Sequence, residues 1–262
     1  MDNAKKVTVI TGAARGIGRA TALLLAVKQP LQALILLDRD AAELALLQAC
    51  IMALPPENPS IQLDTYVLDV THEAAVIEVF ANIQAKHTRV DILINAVGGS
   101  SAMGNAGVGI ENMSLEQWQS LLALNLTSTF LCCRAAVPLM KHQHYGRIVN
   151  FSSIASQGRR DKVSTAYAAS KAGIDGFTRK LAREVAPFGI TCNAVAPGIT
   201  LTERIDEKFW ATRSENEQQA VLASIPLGRL SSPEEQAETV MFLASDASAY
   251  LTGQIIEVSG GI

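Results

Sequence analysis

The sequence predicts an α/β protein built on a doubly wound parallel β-sheet of about seven strands, with helices on both faces. Short apolar runs rich in β-branched residues alternate with longer helical patterns along the whole chain. This alternation favours a parallel sheet, and strands without polar positions are typical of a sheet covered on both sides. Since no long linker or repeat interrupts the series, we expect one domain over residues 1–262. The predicted strands are 7–10, 33–37, 61–68, 90–95, 146–151, 190–195 and 254–258.

Composition restricts the class of partner. Of the 262 residues, 48% are apolar and 18% are charged, which supports a sizeable core and excludes a disordered chain. The net charge is −3 and neither sign forms a block, so we expect a small-molecule partner and neither nucleic acid nor a membrane. The N-terminus lacks the apolar core of a signal peptide. The four cysteines lack the spacing of a metal site, which indicates reduced thiols, no metal and a cytoplasmic protein.

The first predicted strand is followed by TGAARGIGRA, which places Gly12, Gly16 and Gly18 where the strand turns into a helix. Glycines at such a junction let the backbone approach a pyrophosphate, and the helix N-terminus offers free N–H groups and a positive dipole. The segment therefore predicts a dinucleotide site. Tight turns also need glycine, so an ordinary turn stays open as the alternative.

The second predicted strand ends in Asp38, 20 residues beyond Gly18. Dinucleotide-binding folds place there the acid that holds the adenosine ribose hydroxyls. The alternative is an N-cap of the following helix, which is compatible with the same role. A carboxylate also repels a 2′-phosphate, by roughly 4 kcal/mol at about 4 Å and an effective dielectric of about 20. We therefore expect NAD, with NADP possible because Arg15 or Arg39 could neutralise a phosphate.

The chain resembles the short-chain dehydrogenase/reductase family over nearly its whole length. Its glycine turn matches the family's T-G-x-x-x-G-x-G pattern, VNFSS matches N-x-S-S, and YAASK matches Y-x-x-x-K. The resemblance implies a Rossmann-like fold and a nicotinamide cofactor. It also implies hydride transfer between that cofactor and a secondary alcohol or ketone.

The resemblance implies further cofactor contacts near the strand ends. Asp69 matches the acid that meets the adenine amino group, with Val70 beside the ring. Asn95 opens a segment that matches N-N-A-G at its first and last positions, but Ala96 replaces an asparagine that normally braces the sheet. This departure puts local support of the sheet in question.

The segment after the sixth predicted strand matches N-x-x-x-P-G-x-x-x-T. In the family, the backbone at the position of Ile199 meets the nicotinamide carboxamide, and the residue matching Thr202 holds the amide or the pyrophosphate. The cofactor-binding residues that we expect are Gly12, Arg15, Gly16, Ile17, Gly18, Asp38, Asp69, Val70, Asn95, Tyr167, Lys171, Pro197, Gly198, Ile199 and Thr202.

Tyr167 and Lys171 stand four residues apart in a helical pattern, so they share one face about 6 Å apart along the axis. A free tyrosine has a pKa of about 10, but a cation beside a phenol favours the phenolate and makes it a usable acid or base. The resemblance implies that Tyr167 exchanges the proton with substrate and that Lys171 also binds the nicotinamide ribose. A chance pair on a solvated helix edge is the alternative.

Ser153 and Asn125 complete the catalytic set that the resemblance implies. Ser153 matches the hydroxyl that binds the substrate oxygen, with Ser152 as the structural alternative and a simple strand-end cap as another. The 14 positions from Ser153 to Tyr167 are one more than we expect for the family, which places an inserted residue within 158–163. The family's match to Asn125 kinks its helix and holds a water that links the lysine to solvent. An amide satisfied by neighbouring backbone is the alternative.

Two irregular segments, 98–109 and 199–230, follow predicted strands at the edge where open α/β sheets bind ligands. We expect 199–230 to form a lid over the substrate. The apolar segment 115–140 and the small residues around Tyr167 predict a homo-oligomer, and we expect a tetramer.

Two other functions stay open. One is an NADPH-dependent reductase of 3-oxoacyl thioesters, to which NLTSTFLCCRAAVPLM and GRIVNFSS are similar, although Asp38 argues against it. The other is a non-catalytic nucleotide sensor, a class that typically loses the tyrosine or the lysine. Substrate identity is not fixed by the fold.

Overall fold

The computed structural model describes residues 5–54, 61–100, 107–160 and 163–262. Within these residues seven parallel strands form one sheet in the order β3-β2-β1-β4-β5-β6-β7. The order reverses beside β1, as in Rossmann-like folds, so the predicted fold class is confirmed. The strands are β1 (Lys6–Thr11), β2 (Leu31–Asp38), β3 (Gln62–Val67), β4 (Ile92–Asn95), β5 (Gly146–Phe151), β6 (Ile190–Pro197) and β7 (Ile255–Val258).

Helices separate the strands, as the alternating pattern predicts. A π-helical turn at Ala123–Thr127 joins α4 to α5, and a second one at Asp206–Trp210 follows α7 in the predicted lid segment. A 3-10 turn at Ile154–Gln157 directly follows β5. The helices are α1 (Gly16–Lys28), α2 (Ala41–Met52), α3 (Glu73–His87), α4 (Leu115–Leu122), α5 (Ser128–Gln143), α6 (Thr165–Val185), α7 (Glu203–Ile205), α8 (Glu215–Ala223) and α9 (Pro233–Ala244).

The core consists of two apolar layers, one on each face of the sheet. Alternate residues of a strand point to opposite faces, and in β2 Ile35 belongs to one layer whereas Leu34 and Leu36 belong to the other. Helices α3, α5 and α6 contribute to the first layer, and helices α1, α2 and α9 contribute to the second. Strands buried on both sides explain why the sequence shows continuous apolar runs.

The run Leu115–Gln143 is long and apolar enough to cross a membrane by length and composition alone. In the structure its second half is α5, in which Leu131, Cys133 and Ala136 are buried in the core layer against the sheet. The run therefore serves as a core element of the α/β fold.

Candidate active site

The glycine-rich turn between β1 and α1 is too tightly packed for larger residues. Gly12 and Gly16 have φ angles of +64° and +56°, which favour glycine. A Cβ on Gly18 would lie 2.1 Å from the carbonyl oxygen of Gly12, and one on Gly12 would lie 2.9 Å from the backbone N of Val97. Close packing therefore explains these glycines, and Ile17 packs half-buried against the core beneath them.

The same turn presents a backbone donor to an anion. The N–H of Gly16, the first residue of α1, donates to a carboxylate oxygen of Glu203 at 3.1 Å. A negatively charged oxygen thus already fits this helix N-terminus, where the positive end of the helix dipole lies. The site is compatible with a phosphate oxygen of a dinucleotide.

Asp38 ends β2 and faces the glycine-rich turn. Its carboxylate accepts hydrogen bonds from the N–H of Ala14 and the N–H of Asp40, both at 3.0 Å. Asp40, not Asp38, caps α2, because its side chain accepts from the N–H of Glu43. The predicted alternative of Asp38 as the N-cap is therefore wrong. The contact with Ala14 places the carboxylate between the first two strand ends.

The two arginines beside Asp38 are both engaged with acids. Arg15 binds Asp40 at 2.9 Å, and Arg39 lies 3.9 Å from Asp69. Asp69 also accepts from the N–H and the hydroxyl of Thr71. Burial raises the pKa of Asp69, but the hydrogen bonds from Thr71 together with nearby positive charge outweigh burial and hold this pKa below its ordinary value. Val70, next to it, is buried.

Asn95 braces the centre of the sheet. Its amide donates to Asn150 on β5 at 2.8 Å, and Asn150 in turn donates to Thr178 on α6 at 2.9 Å. The bracing side chain is therefore that of Asn95, and alanine at position 96 does not remove the brace, contrary to the concern raised by the sequence. Because the Asn95 side chain is committed to the sheet, contact of this residue with a cofactor stays a prediction.

The chain beyond β6 crosses over to the glycine-rich turn. The N–H of Gly198 donates to the carbonyl of Val258 on β7, which fixes the Pro197–Gly198 corner. The carbonyl of Ile199 accepts from the N–H of Ser231 at 3.2 Å. Thr202 caps α7, and its methyl carbon lies 3.1 Å from the position that a Cβ on Gly16 would take. The two predicted cofactor segments therefore meet in space.

Lys171 and Tyr167 lie together in the buried first part of α6. The N-cap Ser164 accepts from the N–H of Tyr167, so the tyrosine lies in the first turn of the helix. The Nζ of Lys171 is 5.8 Å from the centroid of the Tyr167 ring and donates to the carbonyl of Phe151 at 2.7 Å. Only 3% of Lys171 and 7% of Tyr167 are exposed, so the pair is not a solvated helix edge.

Burial changes the proton affinity of the lysine. It lowers the pKa of Lys171 from 10.5 to about 7, and the charge of Asp175 offsets only part of this effect. A lysine with a pKa near neutrality can give up or take up a proton under ordinary assay conditions. The group beside Tyr167 is therefore suited to proton exchange as well as to electrostatic support.

Asn125 lies in the π-helical turn between α4 and α5, the place where the resemblance predicts a kink. Its side chain forms two hydrogen bonds with the backbone of Gly99 and donates a third to the carbonyl of Leu121. This is the backbone-satisfied amide that the sequence left as the alternative, and a water link to the lysine stays a prediction. A Cβ on Gly98 would lie 2.8 Å from the Asn125 oxygen and 3.1 Å from the Nζ of Lys171, so these residues form one cluster.

Ser153 is buried directly after β5. Its hydroxyl oxygen accepts from the N–H of Ala155 and caps the 3-10 turn that packs against α6. A hydroxyl that accepts one bond can still donate its own proton to a substrate oxygen. The hydroxyl of Ser152 instead donates to the carbonyl of Lys171 at 3.4 Å. The predicted insertion at 158–163 and the predicted loop 98–109 lie partly outside the described residues, which exclude 161–162 and 101–106.

Sequence reasoning missed two side chains at this site. Glu203 reaches the glycine-rich turn, and Arg204 lies over the end of β4, where a Cβ on Gly99 would be 2.6 Å from its guanidinium. Both directly follow Thr202, which the sequence did place near the cofactor. Their position depends on how the chain after β6 folds back onto the glycine-rich turn, and spacing along the sequence does not show this.

Known proteins match this chain over nearly its whole length. A family described as Enoyl-(Acyl carrier protein) reductase matches residues 12–262. The chain is 39% identical over 265 residues to the 3-oxoacyl-[acyl-carrier-protein] reductase FabG of Thermotoga maritima, covering 98% of this chain and 97% of that protein.

Solved structures have the same fold. A 3-oxoacyl-[acyl-carrier protein] reductase from Brucella melitensis is 31% identical with a TM-score of 0.87, covering 99% of this chain and 92% of the other. YwfH, an NADPH dependent reductase involved in bacilysin biosynthesis, is 25% identical with a TM-score of 0.88, covering 98% of both chains. The chain therefore belongs to the short-chain dehydrogenase/reductase family and is an oxidoreductase acting on CH–OH or keto groups with a nicotinamide cofactor.

Proposed function

We propose that the protein interconverts a secondary alcohol and a ketone with NAD as the preferred cofactor and Tyr167 as the acid or base. The observation that carries this proposal is the buried pair on α6, with the Nζ of Lys171 5.8 Å from the Tyr167 ring. A cation held beside a phenol stabilises its ionised form.

Each residue of the cluster has a distinct task. As the phenolate, Tyr167 takes the proton of an alcohol; as the phenol, it gives its proton to a ketone oxygen. The nicotinamide ring, when bound, accepts or supplies the hydride. Ser153 donates its hydroxyl proton to the substrate oxygen and so holds it in place. Lys171 lies beside the tyrosine and can exchange protons itself, because burial lowers the pKa of the lysine to about 7.

The cofactor would be held along the edge formed by the strand ends. Gly16 offers its N–H to the pyrophosphate, and Asp38 offers a carboxylate to the ribose hydroxyls. The preference for NAD is supported by two features of this edge. The Asp38 carboxylate repels a 2′-phosphate, and the nearby Arg15 is already paired with Asp40 at 2.9 Å.

A second candidate is reduction of 3-oxoacyl thioesters with NADPH. A relative named 3-oxoacyl-[acyl-carrier-protein] reductase supports it at 39% identity over nearly the whole chain, and YwfH is named as NADPH dependent. The carboxylate at the end of β2 argues against NADPH in this chain. Both candidates use the same catalytic cluster.

One set of assays separates the two candidates. Oxidation of NADH and of NADPH is followed with acetoacetyl-CoA and, separately, with a panel of simple ketones; the reverse reaction is followed with NAD and a panel of secondary alcohols at alkaline pH. We expect kcat/KM to be higher with NADH than with NADPH for the best substrate. A higher value with NADPH and acetoacetyl-CoA would favour the second candidate.

We also propose a homotetramer in the cytoplasm. Apolar side chains on α4 and α5 remain exposed, with Leu115 at 69% and Phe130 at 41%, and Phe130 contacts Phe177 of α6 edge to face. An exposed apolar surface shared by these helices is suited to a second copy of the chain. Three of the cysteines are buried and free, as expected in a reducing compartment.

A further inference from the structure

A carboxylate from the lid segment binds the helix N-terminus proposed for the pyrophosphate. An oxygen of Glu203 accepts from the N–H of Gly16 at 3.1 Å, although the two residues are 187 positions apart. The adjacent Thr202 fixes this turn, because its hydroxyl oxygen accepts from the N–H of Ile205 and its methyl carbon packs over Gly16. The contact is therefore built by a defined piece of structure and not by a long side chain alone.

Helix α1 has no anionic partner of its own at this end. Its N-cap, Arg15, makes no side-chain capping bond, and its first turn contains no acidic residue. The first N–H groups of a helix have no partner within the helix, and the helix dipole favours a negative charge beside them. Glu203 supplies that charge from the lid segment.

We propose that Glu203 is a built-in competitor of the cofactor pyrophosphate, so that dinucleotide binding requires the carboxylate to leave Gly16. This inference rests on the proposed dinucleotide site. A phosphate oxygen and the Glu203 oxygen would use the same N–H, and two anions at one helix N-terminus repel each other. The exchange occurs at the base of the predicted lid, since Glu203 opens α7.

The exchange also links the cofactor to the substrate side of the site. Arg204 follows Glu203 directly, and its guanidinium lies beside Gly99, whose backbone is held by Asn125. The turn that carries Glu203 therefore also contacts the residues around the catalytic cluster.

The test is a comparison of Glu203→Gln with Glu207→Gln. Glutamine keeps the shape of glutamate but removes the charge. Glu207 lies in the next turn, and its negative charge interacts with Arg15 and raises the pKa of that guanidinium. Among the described residues, no hydrogen bond joins Glu207 to the glycine-rich turn. It is thus a matched control for loss of one negative charge near the site. Dissociation constants for NADH and ADP-ribose are measured by fluorescence and calorimetry, and association rates by stopped flow.

We expect Glu203→Gln to bind NADH and ADP-ribose about twofold to fivefold more tightly, the factor that a charge at an exposed helix N-terminus contributes to an equilibrium constant. Association should be faster, and Glu207→Gln should change affinity by less than half as much. Simple damage to the fold would weaken binding, so a gain in affinity distinguishes competition from a structural role.

Three results would overturn the inference. Affinity of Glu203→Gln equal to or below that of the wild type would show that the carboxylate does not compete. An equal gain in Glu207→Gln would show a general charge effect without the contact to Gly16. If the wild type bound neither NADH nor NADPH, the proposed function would fail together with the inference.

Discussion

Replacing Lys171 by methionine tests whether the lysine is as deeply buried as the structure shows. Burial lowers the pKa of Lys171 from 10.5 to about 7 in the folded protein. Between those two pH values the unfolded chain carries one proton more than the folded chain at this residue. The free energy of unfolding therefore rises with pH across this window, because the cost of burying the ammonium group is fully present below pH 7 and disappears as the pH approaches 10.5.

The size of the effect follows from the same pKa values. At about 1.4 kcal/mol per pH unit, the span from 10.5 to about 7 corresponds to about 5 kcal/mol for a fully buried ammonium. The unfolding free energy of the wild type minus that of Lys171→Met should thus rise by about 1.4 kcal/mol per pH unit between pH 7 and 10.5, because the wild type loses the cost of a buried charge that methionine never carries. Methionine also lacks the hydrogen bond to the carbonyl of Phe151. This loss lowers the unfolding free energy of the variant by about 1 kcal/mol without pH dependence.

The assay is urea denaturation of both proteins at pH 7.5, 8.25 and 9.0, at one protein concentration and with a reductant present. Other titrating groups cancel in the difference between the two proteins. Lys180→Met is the control: the Lys180 side chain is 75% exposed, so its replacement should give no slope with pH. A difference between wild type and Lys171→Met that stays constant from pH 7.5 to 9.0 would refute the reasoning.

Three further predictions concern the cofactor site and the assembly. In Asp38→Asn, which keeps one acceptor oxygen for Ala14, the ratio of kcat/KM with NADH to that with NADPH should fall at least about tenfold, because a repulsion of a few kcal/mol is removed; an unchanged ratio would assign the preference to another residue. Gly18→Ala should weaken NADH binding and lower the melting temperature, because its Cβ would lie 2.1 Å from the carbonyl oxygen of Gly12. The control Gly176→Ala, which meets nothing within 4 Å in α6, should stabilise by up to about 1 kcal/mol; equal effects of the two would contradict the packing argument. Sedimentation equilibrium should give the mass of a tetramer, and a monomer would reject the proposed assembly.

The fold could be predicted from the sequence because the patterns that indicate its strands and helices are short and local. Five or more successive apolar residues, as in β2, indicate a strand that is buried on both faces, and the helical patterns between such runs require a parallel sheet. The bounds of β5 agree with the predicted 146–151. Strand β2 begins two residues before and ends one residue after the predicted 33–37, and β6 ends two residues after the predicted 190–195. Strand ends depend on backbone pairing with the neighbouring strand, which a single run of residues does not encode.

The site could be predicted only where its spacing is local. Tyr167 and Lys171 are one helical turn apart, and the glycines of the first turn lie within seven residues, so both patterns are visible in the sequence. The alternative N-cap role of Asp38 is wrong because Asp40 caps α2 instead, and two acids that are two residues apart both suit an N-cap by sequence.

Contacts between segments that are distant along the chain could not be predicted from the sequence. Asn95 on β4 braces the sheet by donating to Asn150 on β5, whereas the family pattern placed the bracing asparagine at position 96. The contact between Glu203 and Gly16 depends on the path of the chain after β6. Tertiary packing sets such contacts, and they leave no periodic or short-range signal in the sequence.

The most direct test of the central claim is the rate of hydride transfer in Tyr167→Phe. Enzyme saturated with NADH is mixed in excess with the ketone or thioester that the wild type reduces best, and loss of NADH is followed through a single turnover. We predict a fall in rate of about two to four orders of magnitude, the usual contribution of a positioned acid, with the NADH dissociation constant unchanged within about twofold. A rate like that of the wild type, at unchanged NADH affinity, would contradict the assignment of Tyr167 as the proton donor.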